Sequence, residues 1–210
     1  MDLYQYEREL YDEGIEFIGG VDEVGRGPLI GPVVAACCVL PKDFILEGLT
    51  DSKKLSEKKR DIFYDYIIEN CLAYGISSVS PEEIDSINIY EASRKAMMKS
   101  IKKVSKQINL EHVLVDAMPL KDLKIKSTSI IKGDAKSISI AAASVLAKVT
   151  RDKMMYKLDK KYPQYGYGKH KGYPTKMHIE AINKYGLIEG YRKTYGPVKQ
   201  IIMKGNDNNE

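Results

Sequence analysis

The stretch FIGGVDEVGRGPLIGPVVAACCVL, Phe17 to Leu40, decides how the rest of the chain is read. Phe17 to Glu23 and Pro32 to Leu40 are runs of β-branched and small apolar residues, and the glycine-rich segment Gly25 to Gly31 lies between them. That pattern predicts two neighbouring strands joined at a tight connection. The first strand runs straight from apolar Phe17–Val21 into two adjacent carboxylates, Asp22 and Glu23. On a regular strand these would leave opposite faces of the sheet. A site that uses both therefore requires the backbone to bend, which Gly25 and Gly27 permit.

Working outward, Ser56 is placed to cap a helix running to about Asn70, with Ile62, Tyr66 and Cys71 on one face. Leu72 to Val79 reads as a third strand, ending before Pro81. From Glu82 to Gln107 the apolar residues Ile89, Ala92, Ala96, Ile101 and Val104 keep helical spacing, with Lys99, Lys102 and Lys103 for the wet side. His112 to Val115 is a short buried strand leading into Asp116 and Pro119, and Lys124 to Ile131 alternates like another. Ser137 to Leu158 sets Ile138, Ala141, Ala142, Val145 and Val149 on one stripe of a long helix. Strands alternating with helices place the chain in the α/β class, a central sheet with helices on its faces.

The 210 residues, 43% hydrophobic and 30% charged, suit one globular domain. The longest apolar run, Leu29 to Leu40, is broken by Gly31 and Pro32 and is too short for a membrane span. Met1 to Leu10 carries Asp2, Glu7 and Glu9, the wrong charge for a secretory leader, so a cytoplasmic location is expected. Cys37, Cys38 and Cys71 have no zinc or redox spacing and read as reduced, buried small hydrophobes. A net charge of +4 permits a polyanionic partner without demanding one.

In open α/β sheets, ligands and catalytic groups gather at strand ends. Asp22, Glu23, Asp116 and Asp134 all lie at element ends. Judged alone, Asp134 reads equally well as a helix cap, and Asp116 as an ordinary strand-exit turn. Carboxylates without histidine or cysteine favour hard cations such as magnesium or manganese over zinc. A pair of such ions suits phosphodiester hydrolysis. His112, His170 and His178 lack the spacing of a zinc-protease helix, and neither a phosphate loop nor a serine nucleophile elbow is present.

GVDEVGRGPLIGPVVAA (Gly20 to Ala36), DSKKLS (Asp51 to Ser56), VDAMP (Val115 to Pro119), KGDAKSISIAAASVLAKVTRD (Lys132 to Asp152) and YPQYGYGKHKGYPTKMH (Tyr162 to His178) together resemble the motifs of the type II ribonuclease H family, in order, and its bacterial HII branch in particular. The resemblance runs from about Gly19 to Gly196. Arg26 between two glycines, and the short lead Met1 to Gly19, are nearer to that branch than to ribonuclease HIII, which usually carries an added N-terminal domain. The resemblance implies an RNase H-like fold: a mixed five-stranded sheet flanked by helices, with a helical C-terminal extension. The expected layout is one catalytic domain, residues 1–203, with the extension at about 160–203 and a disordered tail, 204–210.

It further implies a monomeric endonuclease that cuts the RNA strand of RNA–DNA hybrids. The same enzyme would incise DNA on the 5′ side of a single embedded ribonucleotide, leaving 3′-hydroxyl and 5′-phosphate ends. Asp22, Glu23, Asp116 and Asp134 are the implied metal ligands, for two Mg²⁺ or Mn²⁺ ions bridged by Asp22. Gly25, Arg26 and Gly27 could bring main chain close to a ribose 2′-hydroxyl, although without the resemblance a plain tight turn between two strands is the better reading. Tyr173 occupies the position the family uses to press on a nucleotide. Lys53, Lys54, Lys136, Lys169 and Lys171 flank the motifs as phosphate contacts, and each is also what a solvated loop looks like.

Two other readings are a catalytically silent binding module on the same fold and a related metal-dependent nuclease acting on another nucleic acid. Four acids beside phosphate disfavour a pure binder, which gains nothing from concentrated negative charge. Crowded carboxylates take up protons, so activity is expected to rise from acid toward mildly alkaline pH. A flat pH–rate profile with chemistry rate-limiting would remove the acids from the reaction.

Overall fold

The computed structural model describes residues 2–49, 52 and 55–207. In chain order its elements are α1 (Gln5–Asp12), β1 (Ile18–Val24), β2 (Val33–Val39), α2 (Glu57–Asn70), β3 (Ala73–Val79), α3 (Pro81–Val104), β4 (His112–Asp116), β5 (Lys126–Ile130), α4 (Ile138–Lys161), α5 (Tyr167–His170), α6 (Lys176–Tyr185) and α7 (Gly196–Asp207). The strands form one sheet in the order β3-β2-β1-β4-β5. β2 runs antiparallel to both β1 and β3, whereas β1, β4 and β5 are mutually parallel. The sheet is mixed and five-stranded, as expected.

All seven residues of β2 are buried, because helices cover both faces of the sheet. Val33, Ala35, Cys37 and Val39 join Val21, Val113 and Val115 in a core under α3. Val34, Ala36 and Cys38 face the other way, onto Ala141, Ala142, Val145 and Val149 of α4 and Phe63 and Ile67 of α2. The alternation is the period of two written into the strand. Cys37 and Cys38 are buried free thiols on opposite faces, and Cys71 is a half-buried free thiol.

α4 lies on β1 at a backbone approach that only glycine allows. A Cβ at Gly20 would be driven into the Ser139 carbonyl and the Ile140 nitrogen. α1 is bound to the same helix: Glu7 is buried, and its carboxylate accepts from the Ser137 hydroxyl at 2.6 Å and the Ser139 N–H at 3.0 Å. A carboxylate there meets unpaired N–H groups and the positive end of the helix dipole.

Three expectations are corrected. The buried face of α2 is Phe63 and Ile67, four residues apart, while Ile62 and Tyr66 are exposed. α3 is broken at Asn88, whose φ of 68° is non-helical and whose Oδ1 accepts from the N–H groups of Tyr90 and Glu91, capping a second helical segment. The stretch from Lys204, expected as tail, is helical as far as Asp207, because Val198, Ile201 and Ile202 seat α7 on the C-terminal core; residues 208–210 lie outside the described residues. Ser56 caps α2 and Ser137 caps α4, accepting from Lys59 and Ile140.

Gly20→Ala is expected to lose at least about 3 kcal/mol of stability by overpacking against backbone. Gly196→Ala, where an added Cβ meets nothing within 4 Å, should stay within about 0.5 kcal/mol. Chemical denaturation of the two variants checks the contrast.

Candidate active site

Because β1, β4 and β5 are parallel, their C-terminal ends share one edge of the sheet. Asp22 and Glu23 sit at the end of β1 and Asp116 ends β4. Asp134 lies in the single helical turn Gly133–Ala135 that follows β5. Pairing of β1 with β4 stops at Val21–Val115, one residue short of the acids, so the two strands part where the carboxylates begin. Asp116 Oδ1 accepts from the Gly133 N–H at 2.6 Å, tying the β4 end to the turn that carries Asp134. Asp134 is buried and does not cap α4, since Ser137 does.

The bend that a site using both acids on one face would require is absent from β1. Asp22 pairs with Ala36, Glu23 with Ala35 and Val24 with Val34 in unbroken register, so the two acids leave opposite faces of the strand. The site is shared around a strand end rather than built on one face. Burial pushes Asp22 well above the usual carboxylate range, and the charges of Glu23 and Asp116 push it further. The Ser144 hydroxyl and the Glu23 N–H, at 2.7 Å, oppose that rise by donating to its carboxylate. Glu23 is raised to about 7 by burial, aided by Asp116 and restrained chiefly by Arg26, whose guanidinium lies 3.4 Å away. Ser144 also meets Ser52 at 2.9 Å, which links the DSKKLS segment to Asp22.

Among the described residues, no three His, Cys, Asp or Glu side chains are gathered as a formed metal cage. The donor chemistry nevertheless fits a hard divalent cation: oxygen-only side chains, Asp22 and Asp134 buried and Glu23 and Asp116 half-buried, with the charges of Asp22, Glu23 and Asp116 opposing one another. The histidines are structural. His112 Nε2 meets Thr128 at 2.9 Å, and His170 and His178 stack with ring centroids 4.3 Å apart. His178 Nδ1 then meets the Tyr173 carbonyl at 2.9 Å, fixing that loop from beneath.

Gly25–Gly27 leads directly from the acids, and Tyr173 faces it: a Cβ on Gly27 would stand 3.2 Å from the tyrosine ring. Arg26 and Tyr173 are both exposed. Of the lysines, Lys53 and Lys54 lie outside the described residues, Lys136 is half-buried and Lys169 is exposed. Lys171 is turned inward, against its expected role at phosphate. Its ammonium lies 3.8 Å from the Tyr156 ring centroid and donates to the Tyr156 hydroxyl and the Gly168 carbonyl.

Two residues that motif reasoning passed over hold this region together. Arg151 and Arg192 are completely buried. Arg151 donates to the carbonyls of Pro32, Lys171 and Ile30 at 3.1, 3.0 and 3.2 Å, joining the glycine-rich loop to the Tyr173 loop. Arg192 donates to the carbonyls of Gly25, Arg26 and Gly31 at 2.6, 2.8 and 2.8 Å. Ala117, Lys132 and Lys171 adopt left-handed conformations beside Asp116, Gly133 and Gly172. Such backbone strain in residues with a Cβ is characteristic of functional loops.

A protein-family model described as Ribonuclease HII matches residues 19–195. The chain is 54% identical over 202 residues to the ribonuclease HII of Bacillus cytotoxicus, covering 96% of this chain and 77% of that one. It is 52% identical over 204 residues to that of Bacillus mycoides, covering 97% and 78%. The crystal structure of the ribonuclease H2 from Pyrococcus horikoshii OT3 superposes with a TM-score of 0.77 at 30% identity, covering 91% of this chain and all of that one. The matched span holds the sheet edge, its four acids and both arginine-held loops, and the chain belongs to the ribonuclease HII family.

Proposed function

We propose that this protein recognises a ribonucleotide within a duplex and cuts on its 5′ side, leaving 3′-hydroxyl and 5′-phosphate ends, in the repair of ribonucleotide-containing DNA. As a ribonuclease HII it is an endonuclease of the ribonuclease H class, acting on RNA–DNA hybrids. The observation that carries the finer reading is the placement of the Gly25–Gly27 turn between the buried acids and the exposed Tyr173 ring. A ribose differs from deoxyribose by one hydroxyl, and reading it requires a close, aimed hydrogen bond. Main chain at Gly27 approaches a sugar as no side-chain-bearing residue can.

Asp22, Glu23, Asp116 and Asp134 would hold two Mg²⁺ or Mn²⁺ ions. Bound there, divalent ions supply activation of the attacking water and charge stabilisation at the departing 3′ oxygen. Tyr173 offers a flat face against the sugar or base beside the cut, independent of base identity. Arg26, exposed and near Glu23, restrains that acid's proton uptake and presents positive charge to the backbone phosphates. We place the enzyme in the cytoplasm as a monomer; among the described residues no helix is long and apolar enough to cross a membrane.

The deciding experiment compares a DNA duplex carrying one ribonucleotide with its all-DNA counterpart, with and without chelator. Cutting only the first, only with metal, is the expected result; equal cutting of both would falsify the proposal. On the same substrate Tyr173→Ala should lower kcat/KM by about 10- to 100-fold, and Tyr173→Phe should keep most activity.

The buried acids also set a stability prediction. Asp22 and Glu23 are held above the pKa of an unfolded carboxylate, so the folded chain retains protons that the unfolded chain has released. Stability of the metal-free protein therefore falls as pH rises from about 4, the Glu23 contribution being lost through about 7. Asp22→Asn should abolish activity while raising Tm in chelator by a few degrees, about 2–6 °C. The gain should be absent near pH 4 and grow as the pH rises, because the raised Asp22 carboxyl is ionised in the folded chain only well above its unfolded pKa. Melting curves across that range check it, and a gain that does not vary with pH would contradict the electrostatic account.

A further inference from the structure

Arg192 lies beyond α6, in the segment that runs back beneath the glycine-rich loop, and its guanidinium is wholly buried. Its fork is directed at carbonyls of one loop: Nε and Nη2 to Gly31, Nη2 to Gly25, Nη1 to Arg26. Tyr195 reinforces one of them, its hydroxyl donating to the Arg26 carbonyl at 2.6 Å and accepting from Arg192 Nη1 at 2.9 Å. The tyrosine ring also lies 5.0 Å from the guanidinium carbon. Asp85, near the start of α3, fixes the segment from outside, accepting from the N–H groups of Lys193 and Thr194 and from the Thr194 hydroxyl.

The direction of these bonds matters. The described residues contain no cis peptide bond. In a trans peptide the C=O of one residue and the N–H of the next point opposite ways. Drawing the Gly25 and Arg26 carbonyls inward onto Arg192 therefore turns the N–H groups of Arg26 and Gly27 outward. Both residues are exposed, and among the described residues neither N–H donates to a protein acceptor. A carbonyl already bonded to a charged donor polarises its peptide and strengthens the N–H on the other end. The arrangement gives two aimed, strengthened donors beside Tyr173, at the spacing of neighbouring amides. Apolar residues would fill the same volume without burying a charge, but they would not fix the direction of three carbonyls.

We infer that Arg192, assisted by Tyr195, is a positioning residue for ribonucleotide recognition, holding the Gly25–Gly27 turn so that the Arg26 and Gly27 amides face the ribose hydroxyl. The inference rests on the recognition reading above. It assigns specificity to residues that touch neither the substrate nor the acids.

The test uses the Asp116→Asn protein as a binding-competent, non-cutting parent, in Mg²⁺, and measures Kd for a duplex with one ribonucleotide and for the same duplex in all-DNA form. Adding Tyr195→Phe should reduce the preference by about three-fold, and adding Arg192→Lys by about ten-fold or more, with all-DNA affinity within about two-fold of the parent. Circular dichroism establishes that each variant is folded; should Arg192→Lys fail to fold, Tyr195→Phe decides. An unchanged preference in the folded variants, or equal weakening for both duplexes, overturns the inference and leaves the recognition reading intact. A parent that binds the two duplexes alike removes that reading and the inference with it.

Discussion

The contact between α4 and β1 at Gly20 is the constraint from which the site follows. Without a side chain there, helix backbone rests on strand backbone. That closeness puts Ser144 against Asp22 and brings the Gly133–Ala135 turn to the ends of β4 and β5. It also sets Arg151, further along the same helix, beneath the glycine-rich loop. Glu7 secures the other side of the arrangement by meeting the first turn of α4. One glycine thus positions an acid, its hydroxyl neighbour and the scaffold of the glycine-rich loop.

Two kinds of buried charge share this small region and are handled differently. The carboxylates are crowded, and the fold resists ionisation of Asp22 and Glu23. The guanidiniums of Arg151 and Arg192 instead donate mainly to carbonyl oxygens, which satisfies their N–H groups in the loops they organise. The first group keeps a repulsion that Arg26 and Ser144 relieve only in part, and is suited to receive a cation; in the second, every guanidinium nitrogen has a hydrogen-bond acceptor. A site of this type is destabilised where chemistry occurs and reinforced one layer behind it.

Much of this was legible from residue pattern. Strands β1 and β2 follow from their apolar runs, and Asp22, Asp116 and Asp134 stood out because each ends an element whose neighbours are apolar or small. The parallel alignment that brings them to one edge is a tertiary fact, and no local pattern states it. Arg151 and Arg192 were missed because an arginine on a helix or in a polar loop reads as solvated; the available signal was that Arg151 interrupts an otherwise buried helix face. Asn88 was missed because one polar residue in a helical pattern is unremarkable until its φ is known. The face of α2 was misread because the tolerance of helical spacing let Ile62 and Tyr66 stand in for Phe63 and Ile67, one residue away.

The hydrogen bond from Arg192 to the Gly25 carbonyl spans 167 residues of sequence. During synthesis the acids of β1, the β4 end and the start of α4 are all translated before Arg192. The nascent chain therefore passes through a stage in which all four acids have been translated while the loop beside them still lacks its anchor. On the reading proposed above, ribonucleotide selectivity would be the last property the growing polypeptide acquires, and a chain released early would keep its acids but not its aim.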